Sequence, residues 1–240
     1  MRRIFLVSFI LIVFLGCQVQ TNTQNNYFGL VNDGIGFIVE NAIKFYSYDD
    51  DWSETYDFEF TLPIGYKSVF TVTNEAIGVV IDNTVKIYAK DYYSNSDDWM
   101  ELKDYELALP RRYKNVFWGY HDSYFVLGVI VGNTVKIYLY DDGWNERKDM
   151  DFNLPRGYKS VFSYMDKIGV FVGDIVKFYQ YDNNWNETKH MEFTFPRGYE
   201  SVNGSFFFIS VAAGNSIKFY YYDDKSNNWN ERQDIEFTLR

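Results

Sequence analysis

The chain has 240 residues, a formal net charge of −10 at pH 7 and one cysteine. This acidic balance argues against nucleic-acid binding and against attraction to an anionic membrane, because both need clustered cations. A single cysteine cannot form an internal disulfide, so packing must stabilise the fold. Aromatic residues make up 21% of the chain, and we expect most of them to lie between packed sheets.

Residues 1–17 predict an export signal. Two arginines precede the stretch Ile4–Leu15, which is apolar at all positions but one and is too short to span a bilayer comfortably. A glycine then precedes Cys17, and this arrangement resembles the processing site of bacterial lipoproteins. The resemblance implies that Cys17 becomes a lipidated N-terminus that anchors the protein in a membrane through its acyl chains. An ordinary secretory signal is the alternative.

Residues 18–26 predict a flexible tether, because they carry no charge and little apolar content. The remaining residues, 27–240, are enough for one domain with a sizeable core. With a lipidated cysteine in front of the tether, we expect an extracytoplasmic, membrane-anchored protein, either periplasmic or on the cell surface.

Residues 27–240 repeat one pattern five times, and a tryptophan recurs at steps of 47, 45, 41 and 44 residues. Self-similarity at this period indicates a repeat architecture. The repeated positions comprise a small residue in an apolar run, a lysine within I/V-K-F/I-Y, a tryptophan and, in four units, a closing proline: Gly36, Gly78, Gly128, Gly169, Ser210; Lys44, Lys86, Lys136, Lys177, Lys218; Trp52, Trp99, Trp144, Trp185, Trp229; Pro63, Pro110, Pro155, Pro196.

Each unit predicts four short antiparallel strands. In the fourth unit these are Tyr158–Phe162, Ile168–Val172, Ile175–Tyr181 and Trp185–Phe195. A pair of turn-forming residues separates the second and third strands in all five units: Glu40-Asn41, Asp82-Asn83, Gly132-Asn133, Gly173-Asp174 and Gly214-Asn215.

Four strands in about 44 residues match a propeller blade. We therefore predict an all-β, five-bladed β-propeller whose ring closes by packing of the first blade against the fifth. The expected blades are Tyr27–Pro63, Ile64–Pro110, Arg111–Pro155, Arg156–Pro196 and Arg197–Arg240.

The sequence L-P-R-G-Y-K-S-V-F, followed by a glycine-containing strand, a tight turn and a tyrosine-rich third strand, resembles propeller repeats. It is similar to hemopexin-type blades and to the five-bladed tachylectin lectins over residues 27–240. The Gly-His and Trp-Asp pairs of WD repeats do not occur, and neither does the tachylectin sugar-site signature. The resemblance therefore implies the architecture and no site residues.

The repeated lysine predicts a structural ion pair in each blade. A carboxylate recurs near the end of each unit, flanked by apolar residues, and neighbouring antiparallel strands would place it beside the lysine. Five ligand sites are the alternative. The predicted partners of the five lysines are, in order, Glu59, Glu106, Asp151, Glu192 and Glu236.

The sequence contains no recognisable catalytic, cofactor-binding or metal-binding motif. The Asp/Asn-rich segments between the third and fourth strands vary in spacing and lack a calcium-loop pattern, so we interpret them as solvated loops. We expect no cofactor, no resident metal and no enzymatic activity. Five-bladed propellers do include glycosidases, which use unequal carboxylates near the axis, and a carbohydrate-active enzyme remains an alternative.

One stretch departs from the repeat, between the first and second strands of the third unit. It holds the only tryptophan outside the repeated position, and the second unit has a long loop that would lie on the same face. Aromatic residues in such places suit a sugar or a protein hot spot, although Trp118 could equally cap the disc. The candidate binding residues are Trp118, Tyr120, His121, Tyr124, Tyr92 and Tyr93.

These observations predict a non-catalytic, lipid-anchored binding module whose ligand is a protein or a glycan. A scaffold subunit of an envelope complex is a further alternative. Because first-to-second and third-to-fourth loops leave a blade on one side, we also expect a polarised disc, with an acidic and aromatic face opposite a basic one.

Overall fold

The computed structural model describes residues 27–29, 34–49, 51–54, 59–73, 76–90, 98–121, 124–195, 197–204, 208–232 and 237–238. They form five antiparallel sheets arranged as a five-bladed β-propeller, which confirms the predicted fold class. The predicted signal and tether, with Cys17, lie outside the described residues, as do Tyr92, Tyr93 and Glu236. No helix in the described part of the chain is long and apolar enough to cross a membrane.

The strands follow one another in the same order in every blade. Blade 1 contains β1 (Tyr27–Gly29), β2 (Gly34–Val39), β3 (Ala42–Asp49), β4 (Asp51–Glu54) and β5 (Phe60–Thr61). Blade 2 contains β6 (Tyr66–Thr73), β7 (Ala76–Ile81), β8 (Thr84–Lys90), β9 (Trp99–Glu101) and β10 (Leu107–Ala108). Blade 3 contains β11 (Tyr113–His121), β12 (Tyr124–Val131), β13 (Thr134–Tyr140), β14 (Trp144–Glu146) and β15 (Phe152–Asn153).

Blades 4 and 5 repeat the pattern. Blade 4 contains β16 (Tyr158–Tyr164), β17 (Lys167–Val172), β18 (Ile175–Tyr181), β19 (Trp185–Glu187) and β20 (Phe193–Thr194). Blade 5 contains β21 (Tyr199–Gly204), β22 (Ile209–Ala213), β23 (Ser216–Asp223), β24 (Asn228–Glu231) and β25 (Phe237–Thr238). In blades 2, 3 and 4, 3₁₀-helices span Lys103–Tyr105, Lys148–Met150 and Lys189–Met191.

The predicted fourth strand is interrupted. Its two ends, β19 and β20 in blade 4, both pair with β18, and the 3₁₀-helix lies between them. The backbone N–H of Met191 donates to the carbonyl of Thr188, which closes this turn away from the sheet. The alternating pattern from Trp185 onward therefore describes one edge strand that bulges in its middle, so each sheet contains five strands.

The first strand of each blade is innermost, and these strands contact one another around the ring. β6 lies against β11, β11 against β16, and β16 against β21. β1 contacts both β6 and β21. The ring thus closes through packing of blade 1 against blade 5.

Three of the interfaces between consecutive blades are built from aromatic rings in the same way. In blade 3, Phe152 on β15 packs against two rings of blade 4, Tyr179 and Trp185, at centroid distances of 4.7 and 5.3 Å. Phe60 and Phe193 pack against the same two positions of the blades that follow them. This repeated packing accounts for the aromatic richness of the chain.

The repeated small residue on the second strand makes room for a phenylalanine on the first. Phe117 pairs with Gly128 across the hairpin, and a Cβ atom on Gly128 would lie 2.2 Å from the Phe117 Cζ atom. The same pairing holds between phenylalanine and glycine in blades 1, 2 and 4. In blade 5 both members change together, since Asn203 pairs with Ser210.

Replacing Gly128 with alanine should therefore destabilise the propeller by about 2 kcal/mol through overpacking. Adding Phe117→Leu, which removes the ring atoms nearest to the new Cβ, should recover part of that loss. The measurement is a double-mutant cycle of unfolding free energies in denaturant. Ser210→Ala in blade 5, where no phenylalanine is opposite, is the control and should cost less. Strict additivity of the two blade 3 substitutions would contradict this explanation.

Candidate functional site

The turns of the blades lie on two opposite faces of the disc. We call upper face the one formed by the turns between first and second strands and the loops between third and fourth strands. We call lower face the one formed by the tight turns between second and third strands and the links between blades. Every innermost strand runs from the lower face to the upper face, because the antiparallel pairings repeat in all blades.

In blades 2 and 4 the repeated lysine contacts two carboxylates of its own blade. The Lys86 Nζ atom lies 2.7 Å from a Glu101 carboxylate oxygen and 3.0 Å from one of Glu106. Lys177 Nζ lies 2.9 Å from Glu187 and 3.4 Å from Glu192 in the same way. In these two blades the lysine therefore joins the two ends of the interrupted edge strand.

The shorter of these contacts involves a glutamate that the sequence analysis missed. It lies two residues after the repeated tryptophan in every unit, as in Trp99-Met100-Glu101, so a W-x-E motif carried the signal. In blades 3 and 5 this glutamate contacts the repeated lysine as well, through Lys136–Glu146 and Lys218–Glu231.

A tyrosine completes the network in blades 2, 4 and 5. The Tyr88 hydroxyl donates a hydrogen bond to Glu101 at 3.1 Å, and Tyr220 donates to Glu231 at 3.1 Å. Burial, followed by the adjacent carboxylate, raises the pKa of Tyr88 to about 12. The hydrogen bond from Lys86 lowers the pKa of Glu101. These shifts belong to a repeated structural network in which each group has its partner.

The carboxylates predicted to pair with the lysines differ in whether they reach them. Glu106 and Glu192 approach their lysines, whereas the shorter Asp151 keeps its Oδ1 atom buried without a hydrogen-bond partner. Burial raises the pKa of Asp151, and Lys136 opposes that effect. In blade 1, Glu59 is exposed and Lys44 is half-buried. The lysines are about one quarter to one third exposed, so the next blade covers them only in part.

Lengthening Asp151 to glutamate should stabilise the protein by about 1 kcal/mol at neutral pH, because the longer carboxylate reaches the lysine. The raised pKa of Asp151 means that its ionisation costs stability as pH rises through that value, and that this cost vanishes at lower pH. The gain should therefore shrink as the pH falls below the pKa of Asp151. Thermal unfolding at pH 7 and pH 3 measures both effects.

The matched control for this prediction is Glu192→Asp in blade 4, which shortens a carboxylate that reaches its lysine. It should lower stability at pH 7, in the opposite direction to Asp151→Glu. Equal and small effects of both substitutions would show that side-chain reach does not matter here.

In blades 3, 4 and 5 the repeated tryptophan forms a hydrogen bond with the preceding blade. The indole Nε1 of Trp185 donates to the carbonyl of Met150 at 2.8 Å, and that of Trp229 donates to Met191 at 2.8 Å. Trp144 donates to the carbonyl of Tyr105 at 3.0 Å. Each acceptor ends the 3₁₀-helix of the preceding blade. These three tryptophans are therefore part of the inter-blade packing.

The candidate binding residues separate into core and surface. Trp118 is only 7% exposed and packs against Phe125 and Trp144. Trp118 therefore belongs to the core and is not part of an accessible surface. This agrees with the alternative that its role is structural. His121 is partly exposed, and its ring meets Tyr181 of blade 4 edge to face at 5.7 Å. Tyr120 lies within β11, and its side chain is outside the described set.

Tyr124 is the exposed member of this group, with 48% of its surface accessible. It begins β12 and pairs with His121 at the upper end of the β11–β12 hairpin. Ten residues separate Phe117 from Gly128, against six or seven between the equivalent positions of the other blades. The expected long loop is therefore a longer hairpin, with pairing continuous from Asn115 to His121.

The two faces differ in charge among the described residues. The upper-face turns and loops carry seven acidic side chains, Asp98, Asp141, Asp142, Asp166, Asp182, Asp223 and Asp224, and two basic ones, Lys167 and Lys225. The lower face carries seven basic side chains, Lys67, Arg111, Arg112, Lys114, Arg156, Lys159 and Arg197, and three acidic ones, Glu40, Asp82 and Asp174. The disc is polarised as the sequence predicted.

Within the described ranges, no group of three or more His, Cys, Asp or Glu side chains is arranged to hold a metal ion. The acidic side chains of the upper face are spread over the loops of different blades. What this face offers is an acidic surface with a projecting aromatic hairpin.

No protein-family model matches the chain, and none of the curated proteins compared with it matches significantly. Similar solved structures include Kluyveromyces lactis Hsv2, which is 12% identical with a TM-score of 0.47 and covers 84% of this chain and 74% of its own. A protein from Lactobacillus plantarum is 10% identical with a TM-score of 0.43, covering 90% and 72%. The WD40 domain of SCAP from fission yeast is 13% identical with a TM-score of 0.43, covering 88% and 54%. These similarities are too weak to bear on function.

Proposed function

We propose that this protein is a non-catalytic binding module, anchored outside the cytoplasm by lipid on Cys17, and that it holds a protein partner at the tip of the β11–β12 hairpin. The observation that carries this proposal is the exposure of Tyr124 on a hairpin that departs from the blade repeat. At repeated positions the aromatic side chains pack between blades, so their recurrence along the chain has a structural explanation.

The extra length of the hairpin contributes little to the ring. Its additional pairs, such as Tyr120 with Phe125 and His121 with Tyr124, lie beyond the level at which the blade 4 hairpin turns. Two further residue pairs extend a hairpin by roughly 7 Å. Residues released from the repeat in this way are free to serve recognition.

The chemistry of the tip favours a protein partner. An exposed tyrosine offers a large apolar ring with a polar hydroxyl, the combination found in interface hot spots. A projecting hairpin inserts into a concave partner, whereas a glycan would need a groove to lie in. Asp141 and Asp142 of the same blade lie on the same face and are exposed, so the complementary surface of the partner should be basic.

Tyr124→Ala should reduce partner affinity by about 2 kcal/mol, or roughly thirtyfold, if the ring fills a hot-spot pocket. The partner is first isolated by crosslinking and co-purification with the intact protein, and its affinity for each variant is then measured by calorimetry. The matched control is Tyr221→Ala, which removes a tyrosine that is 36% exposed on blade 5. Equal affinities of the two variants would place the site elsewhere on the molecule.

A glycan panel separates this proposal from the carbohydrate alternatives. Binding of a glycan that Tyr124→Ala abolishes would replace the protein partner by a sugar ligand. Release of a cleaved product would contradict the non-catalytic assignment.

The anchor has its own test. Cys17→Ser should shift the protein from the membrane fraction to the soluble fraction, or leave it unprocessed, because the acyl chains can no longer be attached. Metabolic labelling with a fatty acid, followed by fractionation, measures both outcomes. A substituted protein that remains in the membrane and is processed like the parent would contradict lipidation at Cys17.

A further inference from the structure

The lower face concentrates positive charge on an acidic protein. Its seven cations exceed its three described carboxylates by four, although the chain as a whole has a net charge of −10. Glu200 in β21 lies on the same edge and reduces the excess to three. All seven cations are exposed. The net charge of the chain therefore averages over two faces of opposite sign.

The fold places these cations by two repeated devices. A β-bulge near the start of the innermost strand, between Tyr113 and Asn115 in blade 3, sets an exposed lysine at the lower edge. The same bulge carries Lys67 and Lys159 in blades 2 and 4. The links that lead into blades 3, 4 and 5 follow the sequence pattern Pro-Arg, and the arginine of each is exposed.

The lower-face cations are not neutralised by ion pairs. The repeated lysines of the blade bodies, such as Lys86 and Lys177, contact carboxylates. By contrast, Lys159 donates to the backbone carbonyl of Gly173 at 2.7 Å, which leaves its charge uncompensated. In the described part of the chain, no carboxylate forms an ion pair with any of the seven cations.

An apolar residue stands among them. Ile64 occupies the link position that Arg156 holds in the fourth unit, and it is 100% exposed. A fully exposed isoleucine within a field of cations fits the boundary between lipid headgroups and acyl chains, where apolar and basic side chains are stabilised together.

The entry point of the chain coincides with this face. β1 is parallel to the other innermost strands and lies between β6 and β21, so its first residue, Tyr27, lies at the lower end of the strand. Ten residue steps separate Cys17 from Tyr27, and they can span at most about 35 Å in any conformation. An acyl chain on Cys17 would hold the lower face close to the bilayer.

We propose that the lower face docks on anionic lipid headgroups of the membrane that carries the protein, so that the upper face and the β11–β12 hairpin point away from the bilayer. The orientation rests on the proposed lipid anchor, whereas the affinity of the face for anionic lipid does not. The net charge of the chain predicts no attraction to an anionic membrane. In this proposal the lower face alone provides that attraction.

The test uses the full chain with Cys17→Ser in every variant, so that acyl chains play no part and residues 1–26 contribute equally. Binding to vesicles of phosphatidylcholine alone is compared with binding to vesicles in which a third of the lipid is phosphatidylglycerol. The test variant combines Arg111→Gln, Arg156→Gln and Arg197→Gln, three exposed residues outside the core. The matched control combines Asp141→Asn with Asp142→Asn on the upper face. Circular dichroism checks that all variants are folded.

The parent should prefer anionic vesicles, and the triple arginine variant should bind them about a hundredfold more weakly, at about fivefold per cation. The upper-face control should stay within about twofold of the parent, and raised salt should weaken parent binding. Equal parental affinity for both vesicle types, or unchanged affinity of the arginine variant, would overturn the proposal. Stronger binding to soluble polyglutamate than to anionic vesicles would assign the face to an acidic protein. None of these results depends on lipidation, so failure here is separate from failure of the anchor.

Discussion

The propeller depends on the interface between consecutive blades. A single antiparallel sheet cannot bury both of its faces, so each blade must pack against the next around the ring. Here the contact is made by an aromatic ring on the fifth strand, exemplified by Phe193, which lies against Tyr220 and Trp229 of the following blade. The tryptophan also donates a hydrogen bond to the preceding blade. Each of the four described hydrophobic clusters draws its members from two consecutive blades.

This constraint explains why most of the repeated chemistry is structural. In blades 2, 4 and 5 the lysine lies beside the tyrosine that enters the interface, and a glutamate bridges the two, as Glu101 does between Lys86 and Tyr88. Because these charged groups lie at a partly exposed rim, their net contribution to stability is modest. Their geometric effect is larger, since the lysine holds the bulged edge strand against its sheet. A side chain that is needed for this packing is not free to adapt to a ligand.

The two surfaces that we propose for recognition lie on the faces of the disc, outside this repeated packing. The upper face combines acidic loops with the long β11–β12 hairpin, and the lower face combines seven exposed cations with the exposed Ile64. Because the two faces carry opposite charge, they can bind two different surfaces at the same time. In the arrangement that we propose, the membrane lies on one side of the propeller and the protein partner on the other.

The sequence by itself determined the number of blades, the turn between second and third strands and the polarity of the faces, because these follow from local patterns that repeat five times. It did not reveal that the Trp185 strand bulges into a 3₁₀-helix or that Trp118 is buried, since both depend on what the neighbouring blade presents. The tertiary structure also decided that Glu101 is the nearer partner of Lys86, because only the pairing of β8 with β9 brings those residues together. Burial and long-range pairing are properties of the closed ring, and no single repeat contains them.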